Sequence, residues 1–339
     1  MAARHRVIQG DRPGRLARAL LAWYRRGHRQ LPWRATADPY RIWVSEIMLQ
    51  QTRAQAVVPY YERFLARFPT VEALAAAAED DVLTQWSGLG YYARARNLHR
   101  ASAAIVAAGG FPRDYDAIRG LPGIGDYTAA AIASIAFQRP LAAVDGNVLR
   151  VVARVDNDAA DIASPLTRER FRQVAQRWLD PRAPGTFNQA LMELGATVCL
   201  PRNPLCLVCP LAAGCRARQE GTAAQLPVKL RRAVPVRIDS VLLLVQNGRR
   251  VLLRRREAGA RRMAGFWDLP SSEHLPGARA GRSLGAFRHT ITHHQFTFTV
   301  RAAAARASGP SFRWFLPPEL VEVPLSTTAR KALKLAGIL

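Results

Sequence analysis

Lysine is nearly absent from the sequence. Of the 49 lysine and arginine residues only three are lysines, Lys229, Lys331 and Lys334, so the basic side chains are almost all arginines. They outnumber the 25 acidic side chains and give a formal net charge of +24. Because arginine binds phosphate through a planar fork of N–H donors, this excess favours a polyanionic partner, with nucleic acid as the leading candidate.

Long apolar runs are missing as well. No stretch reaches the roughly 18 uncharged apolar residues that a membrane-spanning helix needs. The first ten residues carry Arg4, His5 and Arg6 rather than an apolar signal segment. We therefore expect neither secretion nor membrane insertion, and we predict a monomer in the cytoplasm, associated with the nucleoid.

Cysteine occurs in one short segment only. Cys199, Cys206, Cys209 and Cys215 have the spacing C-x6-C-x2-C-x5-C within 17 residues. Disulfides are not expected in a large protein without a signal peptide, whereas four thiolates hold either a 4Fe-4S cluster or one zinc ion. The residues by themselves leave both metals open, together with unligated cysteines.

The sequence as a whole shows two different residue patterns, one in each half. From Leu16 to Gln219, alanine-rich stretches punctuated by glycine and proline predict helices. We predict a helical domain over residues 1–220, a polar linker over 221–235 and a second domain over 236–339.

The second domain is predicted to be α+β. Two apolar runs surround Asn247-Gly248, a pair that accepts positive φ and is typical of a β-hairpin turn. The segment Phe296–Val300 alternates apolar and polar residues, as a half-buried strand does.

Two short motifs in the helical half carry chemistry. Gly120-Leu-Pro-Gly-Ile-Gly125 resembles a helix-hairpin-helix turn, where Gly123 and Gly125 let backbone N–H groups approach a phosphate. An ordinary connection between helices is the alternative. Twenty residues further on lies Asp145, which in isolation would be read as a helix cap or a turn residue.

Together with other segments, these motifs resemble the MutY family of adenine DNA glycosylases. The segments are Leu31-Pro-Trp-Arg34, Trp43-Val-Ser-Glu-Ile-Met-Leu-Gln-Gln-Thr52, Gly88-Leu-Gly-Tyr-Tyr92 and Asp145-Gly-Asn147. The cysteine spacing is similar to the cluster loop of that family and of endonuclease III. The resemblance implies a mainly α fold, in which a helix-hairpin-helix glycosylase domain with a 4Fe-4S cluster loop precedes an α+β Nudix-like domain. It also implies a monofunctional enzyme that removes adenine mispaired with 8-oxoguanine or guanine from duplex DNA.

Glu46 is the general acid that the resemblance implies, and Asp145 the carboxylate that stabilises the oxocarbenium-like sugar. If the segment around Glu46 is helical, Ile42, Trp43 and Leu49 share its face. Desolvation by these apolar neighbours is expected to raise the pKa of Glu46, as a general acid near neutral pH requires.

The family assigns roles to further positions of this sequence. Tyr127 lies beside the sugar and Asn147 positions Asp145. Gln51 and Tyr91 are wedges that enter the base stack, with Thr52 and Leu89 around them. The adenine pocket and DNA surface include Arg29, Trp33, Arg34 and Gln189. In the second domain, Thr292 and His293 correspond to the loop that reads 8-oxoguanine, although the aromatic residue of that loop is replaced here.

Two alternatives stand beside this interpretation, an endonuclease III-type enzyme and a non-catalytic iron-sulfur DNA-binding protein. An endonuclease III-type enzyme has a Schiff-base lysine where Tyr127 stands, and no lysine precedes Lys229. A non-catalytic iron-sulfur DNA-binding protein would not need Glu46 and Asp145. A Nudix hydrolase needs a glutamate-rich box for magnesium, but only Glu273 is acidic between Pro270 and Phe287.

Overall fold

The computed structural model describes residues 12–230, 234, 236–257, 263–291, 293–307 and 309–339. The chain forms two compact units. The first consists of Met1–Val58 and Ala104–Arg232, and the second of Pro59–Ala103 and Ala233–Leu339. The predicted division into residues 1–220, 221–235 and 236–339 stays a prediction.

The first unit is helical. Its elements are α1 (Arg12–Arg26), α2 (Pro39–Leu49), the start of α3 (Ala54–Arg67), the end of α6 (Ala93–Ala107), α7 (Tyr115–Arg119), α8 (Asp126–Phe137), α9 (Gly146–Asp156), α10 (Pro165–Trp178), α11 (Pro184–Thr197) and α12 (Arg216–Gln219), with short 3-10 turns at Pro32–Arg34, Cys206–Val208 and Ala212–Gly214. Helices α1, α9, α10 and α11 enclose one apolar core, in which Leu20, Val152, Phe171 and Leu194 are fully buried.

The second unit contains helices and a sheet. Its elements are most of α3 and α6, α4 (Val71–Ala75), α5 (Glu79–Trp86), β1 (Val236–Asn247), β2 (Arg250–Arg255), β3 (Trp267–Asp268), β4 (Arg279–Ile291), β5 (His294–Ala304), β6 (Phe312–Phe315), a 3-10 turn at Pro317–Val321 and α13 (Thr327–Leu335). The strand order is β3-β2-β1-β5-β4, and β6 also pairs with β2. Strands β1 and β5 run parallel, whereas β4 pairs antiparallel with β5. Leu333 of α13 lies in the core on one face of the sheet with Val300 and Phe315.

The predicted hairpin is confirmed with a shift of one residue. Asn247 pairs with Arg250, so the two turn residues are Gly248 and Arg249. Gly248 supplies the positive φ of 57° that the first position of a tight hairpin turn requires. The predicted strand Phe296–Val300 lies within β5.

The predicted fold class, a mainly helical part followed by an α+β part, is confirmed. The predicted helix-hairpin-helix is present, since α7 ends before Gly120 and α8 begins after Gly125. Gly123 has a φ of 78° in the turn between them. None of the helices in the described ranges combines the length and the apolar character needed to cross a membrane.

Candidate active site

Glu46 lies in the last turns of α2. Asp38 caps this helix by accepting a hydrogen bond from the Tyr40 amide at 2.9 Å, and Pro39 occupies its first position, where no N–H is needed. Ile42 and Trp43 are buried beside Glu46, as predicted, and Glu46 itself is only 5% exposed. Burial raises the pKa of the Glu46 carboxyl to about 7.

Tyr127 is the hydrogen-bond partner of Glu46. Its hydroxyl donates to Glu46 Oε2 at 2.7 Å and lies 2.9 Å from the sulfur of Met192. This contact lowers the pKa of Glu46, against the larger effect of burial, while the charge of Asp145 raises it. The first turn of α8 therefore places a neutral donor against the carboxyl, because burial and Glu46 raise the pKa of Tyr127 itself.

Asp145 caps the N-terminus of α9. Its Oδ1 accepts from the Val148 amide at 2.8 Å, and its Oδ2 accepts from Asn147 Nδ2 at 2.8 Å. Burial raises the pKa of Asp145, and these N–H donors oppose that shift because they stabilise the carboxylate. Asp145 can therefore cap α9 and also serve as a carboxylate of the candidate active site.

Glu46, Tyr127 and Asp145 face one open cavity of about 1190 Å³. Most of the predicted site residues of the helical half line it. They are Arg29, Trp33, Arg34, Glu46, Gln51, Thr52, Gly125, Tyr127, Asp145, Asn147 and Gln189. The cavity therefore combines the Glu46 and Asp145 carboxyl groups with apolar, amide and arginine side chains, an arrangement suited to holding a planar polar base beside a proton donor.

Glu193 was missed by the sequence analysis. Its side chain is 2% exposed and accepts from Arg29 Nη2 and Arg34 Nη2, both at 2.7 Å. Burial raises the pKa of Glu193, but hydrogen bonds and charge from the two arginines outweigh it and lower the pKa to about 2. Glu193 lies one helical turn after Gln189 on α11, and this i,i+4 spacing was the available signal.

Arg150 was also missed, although it lies one turn after Asn147 on α9. Its Nη2 donates to Asn147 Oδ1 at 2.9 Å and to the Gly195 carbonyl at 2.7 Å. Its Nε donates to the Cys199 carbonyl at 2.8 Å. Arg150 therefore links the amide that holds Asp145 to the backbone of the first cysteine.

The four cysteines follow α11 and surround the short turns after it. Cys199, Cys206, Cys209 and Cys215 line one small cavity. Within the described ranges, however, no three His, Cys, Asp or Glu side chains are arranged closely enough to hold a metal ion. Arg154 is 2% exposed, and its Nη1 lies 3.4 Å from the Cys199 sulfur. This buried guanidinium beside Cys199 also donates to the carbonyls of Leu200, Pro201 and Leu226, and its positive charge fits an anionic group such as a thiolate-ligated cluster.

The two predicted wedge residues have unusual backbones. Gln51 (φ 59°) and Tyr91 (φ 48°) both adopt the left-handed conformation, which non-glycine residues rarely adopt. Gln51 follows α2 in the first unit, and Tyr91 follows α5 in the second. Both side chains are exposed, whereas Leu89 is buried. Backbone strain of this kind is concentrated at functional sites, but the wedge roles stay predictions.

Of the predicted 8-oxoguanine-reading residues, Thr292 lies outside the described residues. His293 is exposed, and its ring lies 4.1 Å from that of His294. Its carbonyl accepts from the Val236 amide at 2.9 Å. His293 thus stands at the start of β5, and its role stays a prediction.

Comparison with known proteins finds relatives that match most of this chain and a superfamily that matches part of it. Residues 44–177 match the HhH-GPD superfamily of base excision DNA repair proteins. Adenine DNA glycosylase of Homo sapiens is 33% identical over 398 residues, covering 93% of this chain and 73% of that protein. Adenine DNA glycosylase of Mycolicibacterium smegmatis is 46% identical over 210 residues, covering 60% of this chain and 70% of that protein.

Solved structures resemble the helical part. A thermostable thymine-DNA glycosylase aligns with a TM-score of 0.57 at 27% identity, over 62% of this chain and 98% of that one. An endonuclease III trapped covalently on DNA aligns with a TM-score of 0.52 at 22% identity, over 61% of this chain and 95% of that one. The second likeness shows a shared fold.

Proposed function

Because the chain belongs to the adenine DNA glycosylase family, we propose that it removes adenine mispaired with 8-oxoguanine or guanine from duplex DNA. Family membership makes it a DNA glycosylase of base excision repair, which hydrolyses N-glycosyl bonds. The mispair and the residues that act on it are the proposal. The observation that carries it is the buried Glu46 carboxyl, 2.7 Å from the Tyr127 hydroxyl, in a cavity shared with Asp145.

Glu46 is the general acid of this reaction. A carboxyl with a pKa of about 7 is substantially protonated at neutral pH and can donate to N7 of adenine as the base leaves. Proton donation makes adenine a neutral leaving group, and the bond between base and sugar breaks as positive charge develops on the sugar.

Asp145 stabilises that charge. Asp145 acts in its carboxylate form, which its two N–H donors stabilise against the opposing effect of burial, and it presents a negative charge to the oxocarbenium-like sugar while Asn147 fixes its orientation. Water then completes the hydrolysis. Tyr127 occupies the position of the Schiff-base lysine of endonuclease III, and the absence of lysine before Lys229 supports base removal without strand cleavage.

The base must leave the stack to reach Glu46. Arg29, Trp33, Arg34 and Gln189 line the cavity and supply the walls of the adenine pocket. Gln51 and Tyr91, with Thr52 and Leu89 beside them, take the place of the lost stacking. The net charge of +24 and the exposed Gly123 and Gly125 of the hairpin support binding to DNA phosphates, and the proposed location is the cytoplasm, in association with the nucleoid.

Cys199, Cys206, Cys209 and Cys215 hold a 4Fe-4S cluster in this proposal. Their family spacing and the buried Arg154 beside Cys199 support an anionic cluster that ties down the loop after α11. An absorption band at about 400 nm in the purified protein is expected. A colourless protein containing zinc would contradict the assignment.

The second unit carries the preference for 8-oxoguanine. The segment that includes Thr292 and His293 corresponds to the reading loop of the family. His293 is exposed, and its ring lies beside that of His294. The scarcity of acidic residues between Pro270 and Phe287 supports recognition without Nudix hydrolysis.

The test is cleavage of matched duplexes with adenine opposite 8-oxoguanine, guanine or thymine. We expect strand breaks after alkali, fastest opposite 8-oxoguanine, slower opposite guanine and absent opposite thymine. Without alkali the strands stay intact. Strand breaks without alkali, or release of oxidised pyrimidines in place of adenine, would favour the endonuclease III alternative.

A further inference from the structure

The segment Gly88–Tyr91, here the wedge loop, is held in a constrained conformation. Gly88, Gly90 and Tyr91 all have positive φ, at 107°, 72° and 48°. Arg94 Nη2 donates to the carbonyls of Leu89 and Gly90 at 3.2 and 3.1 Å, and its guanidinium lies 5.4 Å from the centre of the Tyr91 ring. Arg94 of α6 therefore holds the backbone of the wedge loop and contacts the Tyr91 ring.

The two residues that flank the wedge loop contact the C-terminal segment. Ser87 Oγ donates to the Leu325 carbonyl at 3.1 Å and accepts from Arg330 Nη2 at 3.0 Å. The Tyr92 hydroxyl lies 3.3 Å from Thr327 Oγ1. Ser87 and Tyr92 are 8% and 3% exposed, so these contacts are shielded from water.

The Tyr92 hydroxyl also accepts from the Gly88 amide at 3.2 Å. One side chain thus contacts the wedge loop and α13 together. A shift of α13 would be transmitted to Gly88 through this hydroxyl, because the Tyr92 ring is packed at 4.0 Å from that of Phe266 and has little freedom of its own.

Helix α13 is anchored at the sheet. Ser326 caps it and donates to Asp268 Oδ1 at 2.9 Å. Lys331 Nζ donates to the Arg288 carbonyl of β4 at 3.3 Å and lies 5.8 Å from the centre of the Phe287 ring. Strand β4 ends at Ile291, beside the segment proposed to read 8-oxoguanine. One short helix therefore contacts the strand leading to the reading segment and both flanks of the wedge loop.

We propose that α13 is a positioning element that sets the wedge loop through Ser87, Tyr92 and Arg330, so that the C-terminal part controls base extrusion in addition to recognition. This inference rests on the proposed function, because it requires Tyr91 to act as a wedge. The positioning residues do not touch the substrate. They act through Tyr91.

The experiment measures single-turnover adenine release opposite 8-oxoguanine in the full-length protein. Arg330→Ala and Tyr92→Phe each remove part of the contact, and Lys334→Ala is the matched control, since Lys334 is an exposed cation one turn further along α13. We expect each of the first two to slow release about fivefold, the loss expected for one hydrogen bond of about 1 kcal/mol. Lys334→Ala should leave the rate unchanged.

A double-mutant cycle with Tyr91→Ala separates positioning from general destabilisation. If Arg330 and Tyr92 act through Tyr91, then Arg330→Ala and Tyr92→Phe should no longer slow adenine release in a protein that already carries Tyr91→Ala. A 2-aminopurine beside the mispair should also show less unstacking in both variants. Two outcomes would overturn the inference. One is that Arg330→Ala and Tyr92→Phe slow release equally in the wild-type and Tyr91→Ala backgrounds, and the other is that both variants release adenine at the rate of Lys334→Ala. Absence of adenine release by the wild-type protein would instead overturn the proposed function, and the inference with it.

Discussion

Two regions of the first unit each bury one glutamate, and their surroundings shift the pKa values of the two carboxyl groups in opposite directions. Glu46 on α2 is 5% exposed and Glu193 on α11 is 2% exposed. The pKa of Glu46 is raised to about 7, whereas that of Glu193 is lowered to about 2. The ordinary value is 4.5 for both.

The difference shows that charged partners, and not burial alone, decide the protonation state. Glu46 has one neutral donor, Tyr127, so the cost of desolvating the carboxylate prevails. Glu193 has two arginines at 2.7 Å, whose hydrogen bonds and charges outweigh the cost of its own desolvation. One carboxyl is thereby kept as an acid and the other as a fixed anion that orients Arg29 and Arg34.

The largest expected effect comes from removing the acid. Glu46→Gln keeps the shape of the side chain but cannot donate the proton, so adenine release should fall by about 10²- to 10⁴-fold, the usual contribution of general acid catalysis. Duplex binding should remain. The control is Glu169→Gln, which removes an exposed carboxylate paired with Arg172. Full activity of Glu46→Gln in a single-turnover assay would remove Glu46 from the mechanism.

The same variant should change stability with pH. Because the folded-state pKa of Glu46 lies above its ordinary value, its favourable contribution is present below about pH 4.5 and is lost as pH rises through about 7. Glu46→Gln should therefore raise the free energy of unfolding at pH 8, by up to about 3 kcal/mol, and by less than half as much at pH 5.5. Denaturant unfolding at the two pH values measures this, and an equal effect at both would contradict the raised pKa.

Replacing the Glu193 carboxylate should change both the stability of the protein and the pH dependence of adenine release. Glu193→Gln leaves two arginines with a neutral partner, and we expect the free energy of unfolding to fall by about 1 to 3 kcal/mol. Arg34, which lowers the pKa of Glu46, is then less neutralised, so the pH at which adenine release declines should move downward. Unfolding curves and pH-rate profiles check the two effects, again against Glu169→Gln. An unshifted profile would mean that Glu193 is structural only.

The smallest effect is expected from Tyr127→Phe. The Tyr127 hydroxyl lowers the pKa of Glu46, so its loss should raise that pKa and move the decline in rate to higher pH. Tyr115→Phe is the matched control, because its hydroxyl contacts Asp126 near the start of the same helix, outside the pair. A shift toward lower pH would contradict the assigned direction.

The apolar part of the environment of Glu46 was predictable because it is local, whereas its contact with Tyr127 spans 81 residues. Ile42, Trp43 and Leu49 lie within four residues of Glu46, and helical spacing alone places them on its face. Glu193 depends on Arg29 and Arg34, which are 164 and 159 residues away in sequence. Residue spacing carries no information about contacts at that distance, so its role as an anchor emerged only from the fold.

The second unit illustrates the same limit. The strands and the hairpin turn followed from alternation and from Gly248, with an error of one residue in the turn. The contact of Ser87 with Leu325 spans 238 residues and had no sequence signal. It also means that deleting residues from 236 onward would remove partners of both Ser87 and Tyr92. Point substitutions therefore test the reading segment more cleanly than truncation.

The proposed reaction depends on a protonated Glu46 that donates to the leaving adenine. The direct measurement is the rate of single-turnover adenine release opposite 8-oxoguanine as a function of pH. We expect this rate to decline as pH rises, with a midpoint near the Glu46 pKa of about 7. A rate that is constant through pH 7 and falls only in acid would contradict it.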